Sequence, residues 1–524
     1  TFKTTRNSYY DAQARFALVA NGTLYMQRVN TTTQTMDVNA TLNQVIRLAD
    51  AGCDMVRITT QNIKEAHQLT HIKNELLKKG YDLPLIADVH FNPKVAEVAA
   101  QIVEKVRINP GNYIDRNNAK VDFTEAEYQS ELDKIEERLS PLLDVCKKNK
   151  TAIRIGTNHG SLSNRILARY GNTPKGMVES AIEFAEICHK QHFESLILSI
   201  KSSDVRLMIE SNKLLAERMT ENGYYYPLHL GVTEAGDGND GRIKSAAGIG
   251  NLLLNGIGDT VRVSLTEKPE NEIPVTKKLV SLYGKKKAET PKVYAERIII
   301  QDEIKTGNNF NLKRPYVVST ALSEKADFTL DERNNLIRNN HLIKTETELL
   351  ELSSNLSKET GFIKLTYKDI SEEELLLRSA AEFSYIYDLV PANGICISSN
   401  KTPVEYNTQL SFDILQAMGL RFSKAEFIAC PSCGRTYFDI QEHLKKVKQK
   451  TSHLKGIKIA VMGCVVNGPG EMAGSDYGYV GSGIGKVNLY KGSKIAHRNI
   501  DEKDAITTLI SLIKDYGDWK DQKS

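Results

Sequence analysis

Residues 52–112 read GCDMVRITTQNIKEAHQLTHIKNELLKKGYDLPLIADVHFNPKVAEVAAQIVEKVRINPGN, and this stretch decides the fold. Three short β-rich runs, DMVRITT at 54–60, PLIADV at 84–89 and KVRIN at 105–109, alternate with patterns of helical period. The alternation extends in both directions. LYMQRV at 24–29 precedes it, and AIRIG at 152–156, SLILSIK at 195–201, PLHLGVT at 227–233 and DTVRVSL at 259–265 follow. Amphipathic stretches lie between, such as 173–191, where Met177, Ile182, Phe184, Ala185 and Cys188 fall near a helical repeat. Strand–helix alternation makes neighbouring strands parallel, so eight units predict an α/β fold with a closed TIM-type (β/α)8 barrel over residues 1–290. An open doubly wound sheet is the alternative.

In such a barrel, function belongs to the C-terminal strand ends and the loops after them. That rule selects Arg57, Asp88, His90, Arg107, Asn109, Arg154, Asn158, Lys201, His229, Glu234, Arg262 and Ser264. Four of these are arginines set in apolar strands, as VRIT, VRIN, IRIG and VRVS, and Lys201 follows LILSI. Burying so much positive charge is costly unless anions compensate it. Convergence on a phosphate or diphosphate would do so, because the guanidinium fork matches phosphate oxygens two at a time. Glycine-rich turns at Asn109-Pro110-Gly111-Asn112, His159-Gly160-Ser161 and Gly256-Ile257-Gly258-Asp259 let backbone amides approach an anion. The alternative is an internal salt-bridge lattice with Asp88, Glu234 and Asp259. Glu234 is a candidate general acid, or simply a partner for Arg262. His90 and His229 would position ligand hydroxyls or phosphate, or be satisfied core groups.

Seven cysteines in 524 residues do not make a disulfide framework. Cys53, Cys146, Cys188 and Cys396 sit singly in apolar or helical contexts and read as packing residues. The other three form the most specific constellation in the chain. Cys430-Pro-Ser-Cys433-Gly-Arg is followed, thirty intervening residues after Cys433, by Cys464 and then by Val-Val-Asn-Gly-Pro-Gly-Glu471. Two thiolates from one turn and a third from a distance suit a cluster whose fourth position is open or weakly held, and Glu471 is the natural candidate for it. A zinc site completed by Glu471 or His443, and a dithiol–disulfide pair at Cys430 and Cys433, are the competing readings.

A formal charge of +4 gives no case for a nucleic-acid partner. Basic runs at Lys285 to Lys287 and at Lys445, Lys446, Lys448 and Lys450 could dock an acidic protein, or be solvated surface. At 40% hydrophobic and 26% charged residues, with no long apolar run, the chain reads as soluble, without a membrane span. TFKTTRNSYYDAQARF lacks the apolar core of a secretory signal, so a bacterial cytoplasm, or a plastid stroma, is expected.

The motifs GCDMVRITT, ADVHFNP, VRINPGN, IRIGTNHGSL, PLHLGVTEAG, KSAAGIG and GIGDTVRVSLTE, followed by CPSCGRTYFDIQE and GCVVNGPGE, resemble those of one family in this order. It is the 4-hydroxy-3-methylbut-2-enyl diphosphate synthases, iron–sulfur enzymes of the non-mevalonate isoprenoid pathway. The resemblance implies reductive ring opening and dehydration of 2-C-methyl-D-erythritol 2,4-cyclodiphosphate, with ferredoxin or flavodoxin as electron donor. It also implies that Cys430, Cys433, Cys464 and Glu471 bind a [4Fe-4S] cluster, with the carboxylate yielding to a substrate oxygen. Arg57, Arg107, Arg154, Lys201 and Arg262 would clamp the diphosphate, with Asp88, His90, Asn158, His229 and Ser264 beside them, and Glu234 would assist proton delivery. One departure is MQRVNTTTQT, where the family reads close to VQSMTNTDT; Arg28 and Val29 replace the small and sulfur residues.

Long forms of the family insert a domain between barrel and cluster domain. Here the segment 291–410 fills that place, with strands expected at Tyr316 to Thr320, Phe362 to Thr366 and Gly394 to Ser398 and no catalytic constellation. A small α/β iron–sulfur domain is expected over 411–524. By analogy with short forms, which borrow the cluster domain of a second subunit, the insert would let this one fold back onto its own barrel. The chain would then be competent as a monomer, or form a homodimer.

Overall fold

The computed structural model describes residues 26–521, apart from 114–121, 285–294, 301–314, 350–360 and the positions 332, 334–335, 339–340, 344, 391, 434, 466–467 and 473. The N-terminal stretch, the run Lys285 to Lys287 and the side chains of Arg28 and Val29 lie outside the described residues.

Eight strands form where the β-rich runs place them: β1 Met26–Asn30, β2 Met55–Thr59, β3 Leu85–Asp88, β4 Lys105–Ile108, β5 Ala152–Asn158, β6 Leu196–Lys201, β7 His229–Leu230 and β8 Thr260–Val261. They pair in parallel in the order β6-β5-β4-β3-β2-β1-β8-β7. The order steps by one and sets the first strand beside the last, so it has no reversal of the kind an open doubly wound sheet carries. A further parallel bridge joins Leu198 of β6 to Leu228, immediately before β7. Strands β3, β4 and β6 are buried along their whole length, which is why they read as continuous apolar runs rather than alternating ones.

Several of the helices that follow are started by a capping side chain. Asp37, Asn62, Thr173 and Asp204 accept hydrogen bonds from the amides of Ala40, Glu65, Gly176 and Leu207. Each helix turns an apolar stripe inward, as Val45 and Leu48, Leu69 and Ile72, and Met177, Ala181 and Phe184 do.

The inserted segment shows the three expected strands as Tyr316–Ser319, Gly361–Tyr367 and Gly394–Ser399, adjacent and parallel. Ala295–Ile300, Phe328–Leu330, Leu336–Arg338, His341–Ile343 and Thr345–Leu349 extend them into an eight-stranded mixed sheet. The segment is also more than a detached spacer. Its helices Glu372–Leu389 and Val404–Ala417 contribute Leu375, Ala381, Phe383 and Ile414 to the same continuous core as the N-terminal unit. Buried Glu382 fastens this junction, accepting from Tyr283 Oη at 3.0 Å, Tyr367 Oη at 2.8 Å and Arg378 Nε at 2.9 Å. The helix Val404–Ala417 runs through the division expected at residue 410.

The C-terminal sheet orders Glu426–Ala429, Lys458–Met462, Tyr477–Gly483, Lys486–Lys491 and Lys494–Asp501, the first three parallel and the rest antiparallel. Helices Ile440–Thr451 and Glu502–Asp515 cover it, and Phe427, Leu444, Ile459, Tyr479 and Leu509 form its separate core. Among the described residues no helix is long and apolar enough to cross a membrane.

Candidate functional site

The strand ends of the N-terminal unit and the cysteine loops of the C-terminal unit face each other across one cavity of about 770 Å³, counted with its open mouth. Arg57, Asp88, His90, Arg107, Arg154, Asn158, Lys201, Glu234 and Arg262 line one side; Cys430, Cys433, Cys464 and Glu471 line the other.

Parallel register sets the cations side by side. Arg57 pairs in register with Asn30 and Ile86, Asp88 with Thr59 and Arg107, and Arg107 with Arg154. Asp88 is the hub: it meets Arg57 at 3.2 Å, Arg107 at 3.1 Å and His90 at 3.2 Å. Burial would raise its carboxyl, but Arg57, His90 and Arg107 outweigh that and hold it well below the usual value. His90 goes the other way. Burial takes it down to about 3 against the opposing pull of Asp88, and Arg107 adds to the fall, so its ring is neutral at pH 7. Arg107 also donates from Nη2 to the Gly156 carbonyl at 2.7 Å. A Cβ at Gly156 would lie 2.5 Å from Arg107 Nε, so only glycine there leaves the guanidinium its place.

Arg57 is brought down to about 10 by burial, which Asp88 opposes and Arg262 and Arg107 reinforce. Burial and then Arg57 and Arg107 lower Arg154 well below the ordinary value. Arg262 leans on Glu272 at 3.4 Å, a partner the sequence reading did not name. The expected salt-bridge lattice is therefore only partly present. Asp88 serves two arginines, while Asp259 accepts from the Leu228 amide at 2.8 Å. Six cations, Arg57, Arg107, Arg154, Lys201, Arg262 and Arg435, share the cavity with Asp88, Glu234 and Glu471. The excess is positive, and the Nε atoms of Arg107, Arg154 and Arg262 are buried without a hydrogen-bond partner among the described residues. Both features fit a cavity made for an anion.

Glu234 stands in left-handed backbone, φ +49°, an uncommon conformation for a residue with a side chain. Burial and then Glu471 push its carboxyl well above the usual range. The two units touch around it: Ala235 bridges to Ala429, and Thr266 Oγ1 donates to the carbonyls of Ala429 at 3.1 Å and Cys430 at 3.3 Å. Asn158 Nδ2 donates to Glu471 Oε1 at 2.8 Å. At Gly160 a Cβ would fall 2.2 Å from the Gly470 carbonyl oxygen, and at Gly470 one would fall 1.9 Å from that of Gly160, so two glycines are required at this approach.

On the cysteine side, the Gly463 amide points at Cys430 Sγ from 3.4 Å. Burial, and then Cys433, raise the Cys430 thiol. Among the described residues no three Cys, His, Asp or Glu side chains converge tightly enough to hold a single ion. His443 has both ring nitrogens engaged elsewhere, with Tyr479 Oη and Glu502 Oε1, each at 2.7 Å.

Three expected residues are not in the cavity lining. Asn109 is buried with Nδ2 donating to Ser161 Oγ at 2.9 Å, His229 is buried with Nδ1 2.7 Å from Thr260 Oγ1 on the adjacent strand, and Ser264 is buried. Conversely, Ser199, Thr233 and Arg435 line the cavity although the sequence reading passed over them. Arg435 lay in plain view, two residues beyond Cys433, but the cysteines drew the reading.

Comparison with known proteins agrees with this architecture. Residues 18–277 match the model of the GcpE TIM-barrel domain, and 426–515 that of the GcpE protein C-terminal domain. The chain is 40% identical to a 4-hydroxy-3-methylbut-2-en-1-yl diphosphate synthase (flavodoxin) of Parabacteroides distasonis, over 93% of this chain and 94% of the relative. It is 40% identical to that of Phocaeicola vulgatus, over 94% and 95%, and 37% identical to that of Protochlamydia amoebophila, over 93% of each.

Proposed function

Because the chain belongs to the GcpE family of 4-hydroxy-3-methylbut-2-en-1-yl diphosphate synthases, we propose that the cavity between its first and last domains is where the cyclic diphosphate is bound, opened and reduced. The overall activity follows from membership. The chain is an oxidoreductase that converts 2-C-methyl-D-erythritol 2,4-cyclodiphosphate to the linear allylic diphosphate in isoprenoid biosynthesis, with flavodoxin as donor. The assignments to residues are ours.

Cys430, Cys433, Cys464 and Glu471 hold a [4Fe-4S] cluster in this reading. The donor set supports it. Three thiols and one carboxylate line a single cavity, the ligand set this reading calls for. Burial disfavours a bare thiolate at Cys430, and a bound cation is what would let the proton leave. When bound, the cluster supplies electrons singly and an iron that draws charge from a departing oxygen.

The chain's own groups do the rest. Arg57, Arg107, Arg154, Lys201 and Arg262 grip the diphosphate, and their fixed positions hold the reacting carbon–oxygen bond toward the cysteine side. Neutral His90 offers one ring nitrogen as a hydrogen-bond partner without adding charge. Glu234, kept protonated by its buried setting, carries the proton for an oxygen that leaves as water. Asn158 donates to Glu471 and would steady the carboxylate that would serve as the cluster's exchangeable ligand.

We read the eight-stranded sheet as a barrel closed through the Leu198–Leu228 bridge, and the insert, from about residue 291 to 417, as a docked spacer returning the chain to the barrel mouth. The site then closes within one chain, and a cytoplasmic location goes with the bacterial relatives. His229 and Ser264 would act only from behind the lining. The observation that carries the reading is the facing of cations and cysteines in one cavity. Anaerobically purified protein should be brown, hold about four irons per chain and turn over the cyclic diphosphate; colourless protein with stoichiometric zinc would overturn it.

A further inference from the structure

Arg435 enters the cavity from the C-terminal domain, two residues beyond Cys433. Across the same cavity stand Arg57, Asp88 and His90 of the strand ends. The Nε of Arg435 has no hydrogen-bond partner among the described residues, like those of Arg107, Arg154 and Arg262 in the same cavity. Four arginines from two domains thus present unmatched donors to one space. Arg57 and Arg107 already occupy Asp88, and Arg262 leans on Glu272.

Like charges brought together with idle donors are costly unless an anion arrives between them. We propose that Arg435 binds the diphosphate of the substrate, completing from the C-terminal domain a cation set that the strand ends leave unfinished. The inference rests on the function proposed above and adds to it a dependence of substrate affinity on the two domains being together.

Holoenzyme carrying Arg435→Gln or Arg435→Lys is titrated calorimetrically with the cyclic diphosphate, with iron content and the visible spectrum recorded beside it. Arg435→Gln should raise Kd about 10- to 100-fold, as expected for a charge-assisted bond, with Arg435→Lys in between and four irons retained. If Arg435→Gln loses iron, the lysine variant at matched iron content decides by the same measure. A Kd within about twofold of wild type, while Arg107→Ala binds weakly, would overturn the proposal and leave the function standing. Absence of binding by the wild-type holoenzyme would instead overturn the function.

Discussion

Asn158, at the end of β5, and Glu471, in the turn after Cys464, are 313 residues apart in the chain and 2.8 Å apart in the fold. The amide donates to the carboxylate proposed as the exchangeable iron ligand, so a barrel residue sets where a cluster ligand points. Asn158→Ala should leave the three thiolates and the iron content in place while lowering kcat about 10- to 100-fold, the usual cost of losing a group that orients a ligand. Iron analysis beside steady-state kinetics checks this, and unchanged kcat would mean that Glu471 needs no such support.

Arg107 and Gly156 form a matched pair, because a Cβ at residue 156 would sit 2.5 Å from Arg107 Nε. Arg107→Ala should weaken binding of the cyclic diphosphate about tenfold or more, and Gly156→Ala should do nearly the same without touching any charge. The double variant should be little worse than either single one, since both remove the same interaction. Full additivity in the measured affinities would show that glycine serves something else.

His90 gives a pH dependence of definite sign. Its folded value is about 3 against 6.5 for the free group, with burial the leading cause. Between those values the unfolded chain takes up a proton that the folded one refuses, so stability falls as pH falls through the window. Asp88, held well below 3.8, adds loss of the same sign at still lower pH. Chemical denaturation at pH 7 and pH 5 should therefore show a smaller acid loss for His90→Asn than for wild type. Equal losses would remove His90 from the account.

In the proposed closure within one chain, the Gly160–Gly470 approach and the Ala235–Ala429 bridge join its first and last domains. Mixing a Cys464→Ala chain with a Glu234→Ala chain should restore no activity, and recovery in the mixture would show that sites form between subunits.

Much of this was legible in the sequence, for identifiable reasons. Parallel strands buried on both faces leave uninterrupted apolar runs, so an arginine inside one, as in VRIT or VRIN, stands out and falls at a predictable end. Other features exist only in three dimensions. Strands of three residues, such as Leu336–Arg338 and His341–Ile343, carry no periodicity, and Thr345–Leu349 alternates threonine with glutamate rather than with apolar residues. Glu272 meets Arg262 from a helix start, and Arg435 meets the strand ends only after the chain has returned across the insert. The strand-end rule also overreached at His229, whose ring is turned to Thr260 of the neighbouring strand.

The central claim is that the barrel cations and the cluster ligands face one cavity, so that bound substrate touches the cluster. Electron paramagnetic resonance of the reduced holoenzyme, with and without the cyclic diphosphate, tests it most directly. The account predicts a spectrum changed by substrate in the wild type, with the change in Arg107→Ala appearing only at higher substrate concentration. An unchanged wild-type spectrum at saturating, calorimetrically verified occupancy would contradict it.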